Sequence, residues 1–346
     1  LAALETAQKE LLEYGDTGMS IMEHSHRGPA FDAVHNDAIA LTRELYGVSD
    51  DYEVLMLQGG ASLQFAMIPR KFIADGGSAD YVDTGSWSDK ALKEANRIHK
   101  ARWAGSARKD GKCTFIPKQG DLELDSNAAY VHITSNNTIF GTQYHEYPDT
   151  GSVPLVADMS SDIGWRPIDV SRFGMIYAGA QKNIGPSGLA VVILQKALLD
   201  KAREDVPNIL SYRIHAKKNS LYNTPNTWGI YMMRTVLAHV KELGGLAEME
   251  KRNRAKADKL YGAIDGAPDF FRCPVAKDSR SVMNVVWRLP DEDKEKTFIA
   301  EAAKAGLMGL KGHRSVGGCR ASIYNAVPME AIDELVDFME AFRNRA

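Results

Sequence analysis

Short apolar runs rich in Val, Ile, Leu and Tyr punctuate the first two-thirds of the chain: "EVLMLQ" ahead of Gly59, then "ADYVDTG", "AAYVHIT", "PLVADMS", "GMIYAGA" and "LAVVILQ". Between several of them the spacing changes to apolar residues at every third or fourth position, as in "FDAVHNDAIALTRELYG", which runs into Gly47, and in "WSDKALKEANRI". A strand buried on one face alternates apolar with polar residues, so near-continuous apolar strands separated by amphipathic helices predict a mostly parallel sheet covered on both faces. The fold class is therefore α/β. A long amphipathic helix is predicted from Asn226 to Leu243; it meets Gly244 and Gly245, and helical periodicity restarts at once in "LAEMEKRNRAKADKLYGAIDG". Beyond it, "VMNVVWRLP", "DEDKEKTFIAEAAKAG", "CRASIYN" and "MEAIDELVDFMEAFRNR" predict strand, helix, strand, helix. The glycine pair sets the expected boundary between a large domain over 1–245 and a smaller α/β domain over 246–346. A chain of 346 residues exceeds what a single core usually fills.

Composition narrows the function classes. With 44% apolar residues the chain can fill such an interior, and its net charge of −3 offers no basic footprint for nucleic acid or a membrane surface. Any anion site must be local. Cys113, Cys273 and Cys319 are odd in number and far apart, which fits neither a disulfide framework nor paired zinc ligands and points to a reducing cytoplasm without a metal site. No apolar run reaches the length of a membrane span, and the N-terminal residues lack a secretion signal. Leu1 falls inside a helix-like pattern, so further residues are expected ahead of it.

Six places carry candidate chemistry. After "EVLML", the stretch "QGGASLQFAMI" has two glycines, a hydroxyl and a helix-like start near Ala61; its free N–H groups with Ser62 suit a phosphate, and a plain tight turn explains the glycines equally well. Asp158 ends the strand "PLVAD", at the edge where open α/β sheets bind ligands, although a lone Asp is also an ordinary turn former. Lys182, in "YAGAQKNIGPSG", has small neighbours on both sides; either it extends into solvent or the neighbours clear room for something large. A lysine for a Schiff base, an acid for the ring nitrogen and a phosphate cup are the set that pyridoxal phosphate requires, and here they follow one another along the chain as cup, acid and lysine. Trp87, after "VDTGS", is either core filler or a platform for a flat ring. "HSHRG" (24–28) and "KGHRSVGGCR" (311–320) place Arg beside His twice, suited to a doubly charged anion if not simply surface charge.

With these residues assembled, the chain resembles the phosphoserine aminotransferases, fold-type I enzymes of the class-V aminotransferase family that depend on pyridoxal phosphate. The blocks "GMSIMEHSHRG", "LQGGASLQFAMIP", "ADYVDTGSWSDKA", "RPIDVSRFGMIYAGAQKNIGPSGL", "SLYNTPNTW" and "KGHRSVGGCRASIYNA" carry the likeness along essentially the whole length. The resemblance implies a seven-stranded, mostly parallel sheet in the large domain, with Lys182 as the Schiff-base lysine, Asp158 on the pyridine nitrogen and Trp87 stacked on the ring. It further implies that Thr138 bonds the ring oxygen, and that Ala61, Ser62 and Gln181 hold the cofactor phosphate with Asn223 and Thr224 of a second subunit. For the substrate it implies Arg320 on the α-carboxylate, and His313 and Arg314 on the phosphate with His26 and Arg27 of the partner chain. The implied activity is amino transfer between L-glutamate and 3-phosphohydroxypyruvate by a cytoplasmic homodimer. The phosphohydroxythreonine of vitamin B6 synthesis stays open as a second substrate. A serine–glyoxylate aminotransferase or cysteine desulfurase on the same fold, and a non-catalytic binder of phosphorylated acids, are the rival readings. The likeness also departs from the family at the cofactor phosphate, where Ala61 and Ser62 stand in place of the Gly and Arg of some relatives and put more weight on backbone N–H groups.

Overall fold

One seven-stranded sheet organises the computed structural model, which describes residues 2–345. Its strands are β1 (Tyr52–Leu57), β2 (Ser78–Asp83), β3 (Lys100–Ser106), β4 (Val131–Thr134), β5 (Leu155–Asp158), β6 (Met175–Gly179) and β7 (Ala190–Gln195). They lie in the order β1-β7-β6-β5-β4-β2-β3. From β6 through β5, β4 and β2 to β3 every pair is parallel, whereas β7 is antiparallel to both β6 and β1. All strands except β7 consequently end at one edge of the sheet, and β7 begins there.

The apolar runs become strands because the central positions are covered on both faces: every residue of β4, β5 and β6 is buried. The edge strand β3 is different. Its "KARWAGS" leaves Lys100, Arg102 and Ser106 exposed, so it lacks the continuous apolar pattern and was not among the predicted runs.

The longer helices are α1 (Ala2–Glu10), α2 (Pro29–Tyr46), α3 (Gly60–Phe72), α4 (Ser86–Ala95), α5 (Thr227–Glu242), α6 (Gly245–Asp265), α7 (Glu292–Lys304) and α8 (Met329–Arg345). Helix α2 stops where Gly47 turns left-handed at φ 61°, and α5 starts where the Asn226 side chain accepts the Gly229 N–H at 2.9 Å. One face of the sheet packs Val54, Ile133, Ala157 and Ile176 with residues of α2 and α5, and the other packs Leu55, Tyr81, Val156 and Tyr177 with residues of α3 and α4. A separate apolar cluster joins α7, α8 and a two-stranded ribbon, β8 (Asn284–Trp287) with β9 (Cys319–Ser322). Helix α6 spans both cores, giving Leu246 and Met249 to the first and Ala257, Leu260 and Ile264 to the second. Among the described residues, no helix is long and apolar enough to cross a membrane.

Candidate active site

A cavity of about 410 Å³ opens at the edge where the strands end, bounded by the loops after β1, β2, β4, β5 and β6. The loop after β1 is Gln58 and Gly59, and Gly59 and the first residue of α3, Gly60, both have positive φ; a Cβ at Gly59 would lie 2.6 Å from that of Leu63. Glycine is required there for the chain to turn directly into α3. The first helical bond of α3 runs from the Leu63 N–H to the Gly59 carbonyl at 3.2 Å, so the N–H groups of its opening turn point outward beside Ala61 and Ser62.

Asp158 ends β5 and is buried. Its Oδ1 accepts the Ser160 N–H at 2.9 Å and the Ser160 hydroxyl at 2.6 Å, while Oδ2 has no donor among the described residues. Lys182 lies in the turn that joins β6 to antiparallel β7, where the N–H groups of Ile184 and Gly185 return to the Ala180 carbonyl at 3.2 and 2.9 Å. Its Nζ stands 5.8 Å from the centre of a Trp87 ring and has no hydrogen-bond partner among the described residues. Burial lowers the Lys182 pKa from its ordinary value, opposed by the Asp158 and Asp162 carboxylates, and Arg320 lowers it further. Burial likewise raises Asp158, against the Ser160 hydrogen bonds and the Lys182 charge. Each group is thus pulled towards its neutral form by loss of water.

These features meet the needs of pyridoxal phosphate. An acceptor oxygen without a donor faces the ring nitrogen's requirement, a free amine faces the aldehyde's, and a helix start faces the phosphate's. The small residues around Lys182 make only part of the room. Ser187 and Gly188 line the cavity, but Ala178 and Ala180 are core residues, and a Cβ at Gly185 would approach that of Met233 at 3.2 Å.

Of the predicted residues, Ala61, Ser62, Trp87, Asp158, Gln181 and Lys182 all line this cavity. Thr138 sits behind Trp87: its Oγ1 accepts the indole N–H at 3.0 Å, and its carbonyl accepts Arg320 Nη1 at 3.0 Å. Arg320 Nε is buried without a partner. Asn223 and Thr224 lie outside the cavity, beside Gln58, whose Nε2 donates to the Thr224 carbonyl at 2.8 Å. The His-Arg pairs do not line it either. Arg27 and Arg314 are exposed; His26 Nε2 is buried without a partner, and His313 Nδ1 lies 2.7 Å from the Ser315 hydroxyl.

Sequence reasoning missed Asn136, Ser160, Ser161 and Asp162. Ser160 was within reach, since a Ser two residues after an Asp is a recurring turn pattern. Asp162 is held by the Ser135 hydroxyl and by Gln143 Nε2 at 3.0 Å, and burial pushes its carboxyl up to about 6. Beneath the cavity, His132 Nε2 lies 2.8 Å from the Tyr177 hydroxyl with its ring stacked 4.7 Å from that of Tyr81, and burial pushes its pKa down to about 3.

A family model for class-V aminotransferases matches residues 2–335. The phosphoserine aminotransferase of Lysinibacillus sphaericus is 56% identical over 342 residues, covering 99% of this chain and 94% of that one. The solved phosphoserine aminotransferase from Bacillus circulans subsp. alkalophilus matches with a TM-score of 0.97 at 52% identity, over 100% of this chain and 96% of its own. That of Trichomonas vaginalis, described as bound to PLP, has a TM-score of 0.93 at 38% identity over 98% and 96% of the two chains. A likeness of this depth along nearly every residue, over a cavity with this lysine and this aspartate, means that the chain belongs to the class-V aminotransferase family, together with its phosphoserine aminotransferases.

Proposed function

We propose that the chain is a pyridoxal-phosphate-dependent aminotransferase that moves the amino group of L-glutamate to 3-phosphohydroxypyruvate, giving O-phospho-L-serine and 2-oxoglutarate. The reading rests on one observation: an unpartnered, desolvated amine and a buried carboxylate with a free oxygen share a cavity of about 410 Å³.

Pyridoxal phosphate, when bound, supplies an aldehyde to carry the amino group and a ring to take up electrons. The remaining tasks fall to side chains. Lys182 Nζ, neutral in a larger share of molecules than an exposed lysine, is both nucleophile and proton carrier. Asp158 Oδ2 keeps a proton on the ring nitrogen, while Ser160 holds Oδ1 and so fixes the carboxylate's plane. Trp87, held by Thr138, forms a flat wall. The outward N–H groups of α3, with Ser62 and Gln181, receive the cofactor phosphate. Arg320, with Nε unspent, takes the substrate carboxylate in a fork that lysine cannot form.

The two His-Arg pairs favour a phosphorylated substrate over glyoxylate, and the likeness to the family supports His26, Arg27, Asn223 and Thr224 acting in the cavity of a second copy. A cytoplasmic homodimer is part of the same reading. So is a division at Gly245, which the separate apolar cluster of α7, α8 and the ribbon supports. A desulfurase needs a thiolate. Burial raises all three thiols, with Cys113 and Cys319 pushed up to about 12, which favours the aminotransferase.

The test is a side-by-side assay of purified holoenzyme, which should absorb near the visible edge and use 3-phosphohydroxypyruvate far faster than glyoxylate. The phosphohydroxythreonine keto acid belongs in the same assay. A preference for glyoxylate would return the chain to the glyoxylate-using relatives, and binding without an absorbance band would make it a binder.

A further inference from the structure

The predicted strand "VMNVVWRLP" contains a polar residue that the proposed function leaves unused. Asn284 sits at the start of β8 among apolar neighbours and is fully buried. A buried amide costs stability unless it is bonded, and this one is bonded through both ends. Its Oδ1 accepts Asn136 Nδ2 at 2.8 Å, and its Nδ2 lies 3.1 Å from both the Ser322 hydroxyl and the Tyr324 hydroxyl.

The two ends lead to different parts of the site. Asn136 lines the cavity, where it is also held by Ser161, whose Oγ lies 2.7 Å from Asn136 Nδ2, and by the Ser281 hydroxyl at 2.5 Å from Oδ1. Ser322 faces Asn284 across the ribbon, on the strand that carries Arg320 two residues earlier. Arg320 itself reaches the same loop as Asn136, donating to the Thr138 carbonyl at 3.0 Å. The ribbon is therefore pinned to the 136–138 loop twice, once through the Arg320 guanidinium and once through Asn284. The apolar cluster holds the ribbon on α7 and α8, and its polar links set where it stands relative to the 136–138 loop.

We propose that Asn284 is a positioning residue for substrate carboxylates: by tying Asn136 in the cavity wall to Ser322 on the Arg320 strand, it holds the Arg320 fork at the right reach from Lys182. The inference rests on the reading of Arg320 as the carboxylate's partner. With the link gone, the Thr138 bond and the Ser281 hydroxyl on Asn136 remain, but no side chain among the described residues ties Asn136 to Ser322 on the Arg320 strand; carboxylate binding weakens while the lysine and aspartate stay in place.

The test is Asn284→Ala in the holoenzyme, read with L-glutamate turnover and with glutarate, a five-carbon dicarboxylate that cannot react, by titration calorimetry. The expected result is a rise of about tenfold in KM for glutamate and in Kd for glutarate, with kcat within about threefold and the cofactor absorbance unchanged. In an Arg320→Ala background, Asn284→Ala should add nothing, because it acts through the missing guanidinium. Unchanged glutarate binding in the single variant, or a full additive loss in the double variant, overturns the proposal. Should the alanine variant fail to fold, Asn284→Ser keeps one hydroxyl in place and is held to the same two readouts. Glutarate binding unaffected by Arg320→Ala alone is a different failure, since it removes Arg320 from carboxylate recognition before Asn284 is varied.

Discussion

Two groups of charged residues in this molecule are treated in opposite ways. Lys182 and Asp158 lie at strand ends, stripped of water, with ionisations displaced towards the neutral forms. Arg27 and Arg314 lie on exposed loops that no wall of the cavity includes. The first pair suits the chemistry proposed for it, because an amine that attacks and shuttles protons gains from a depressed pKa and a fixed neighbour. These two exposed guanidiniums stay in contact with water, which suits capture of a dianion from solution and leaves the final geometry to the substrate or to a second copy of the chain. On the proposed function, reactivity comes from removing water and recognition from leaving it until the ligand arrives.

The comparison breaks most directly at Lys182. Lys182→Ala should cut turnover by about 10⁴-fold or more while the chain still folds, because nucleophile and proton carrier disappear together. Borohydride reduction of the unaltered holoenzyme should fix the cofactor on the peptide holding Lys182, and labelling at another lysine would refute the assignment.

The buried side also predicts acid lability. His132 is held neutral, with its pKa pushed from 6.5 down to about 3. An unfolded chain takes up that proton below pH 6.5, so stability is intact above 6.5 and falls as pH drops towards 3, by on the order of 5 kcal/mol in all. Denaturant titrations of unaltered chain and His132→Gln across this range should show a shallower fall in the variant. An equal slope would locate the acid lability elsewhere.

Asp158→Asn keeps the shape and removes the charge proposed to hold the ring nitrogen's proton. Turnover should drop roughly 10²–10³-fold, the range for losing one preorganised electrostatic group. Near-normal rates would take Asp158 out of the reaction.

The smallest effect lies on the exposed side. Arg27→Ala should lose about 10–100-fold in kcat/KM for the phosphorylated substrate and far less for glutamate. If Arg27 acts in a second copy's cavity, as proposed, mixing this variant with Lys182→Ala under subunit exchange should restore activity, since one of the two sites then has both residues. No recovery after proven exchange would mean that Arg27 serves its own chain's cavity.

Much of the cavity could be read from strand ends alone. Asp158 closes an apolar run and Gly59 and Gly60 follow another, so each stands at an edge wherever the strand goes. Trp87 and Lys182 follow by the same logic. The pairing of Asn136 with Asn284 could not be found that way: they are 148 residues apart, and nothing local to either marks the other as its partner. Nor did "KARWAGS" announce β3, since an edge strand needs no second apolar face.

What the sequence determined by itself was the alternation of apolar runs with amphipathic helices, the stops at Gly47 and Gly244, and the kinds of residue presented at each strand end. Those are local properties, fixed by 3.6-residue and two-residue periodicity and by the few residues that tolerate a left-handed turn. Only the tertiary structure decided that β7 enters antiparallel between β1 and β6, that the 136–138 loop holds Arg320, and that Lys182 and Asp158 lose enough water to shift their ionisation. Desolvation and hydrogen-bond satisfaction are summed over whichever distant segments the chain path brings together, so they exist for a residue only once the fold has closed around it.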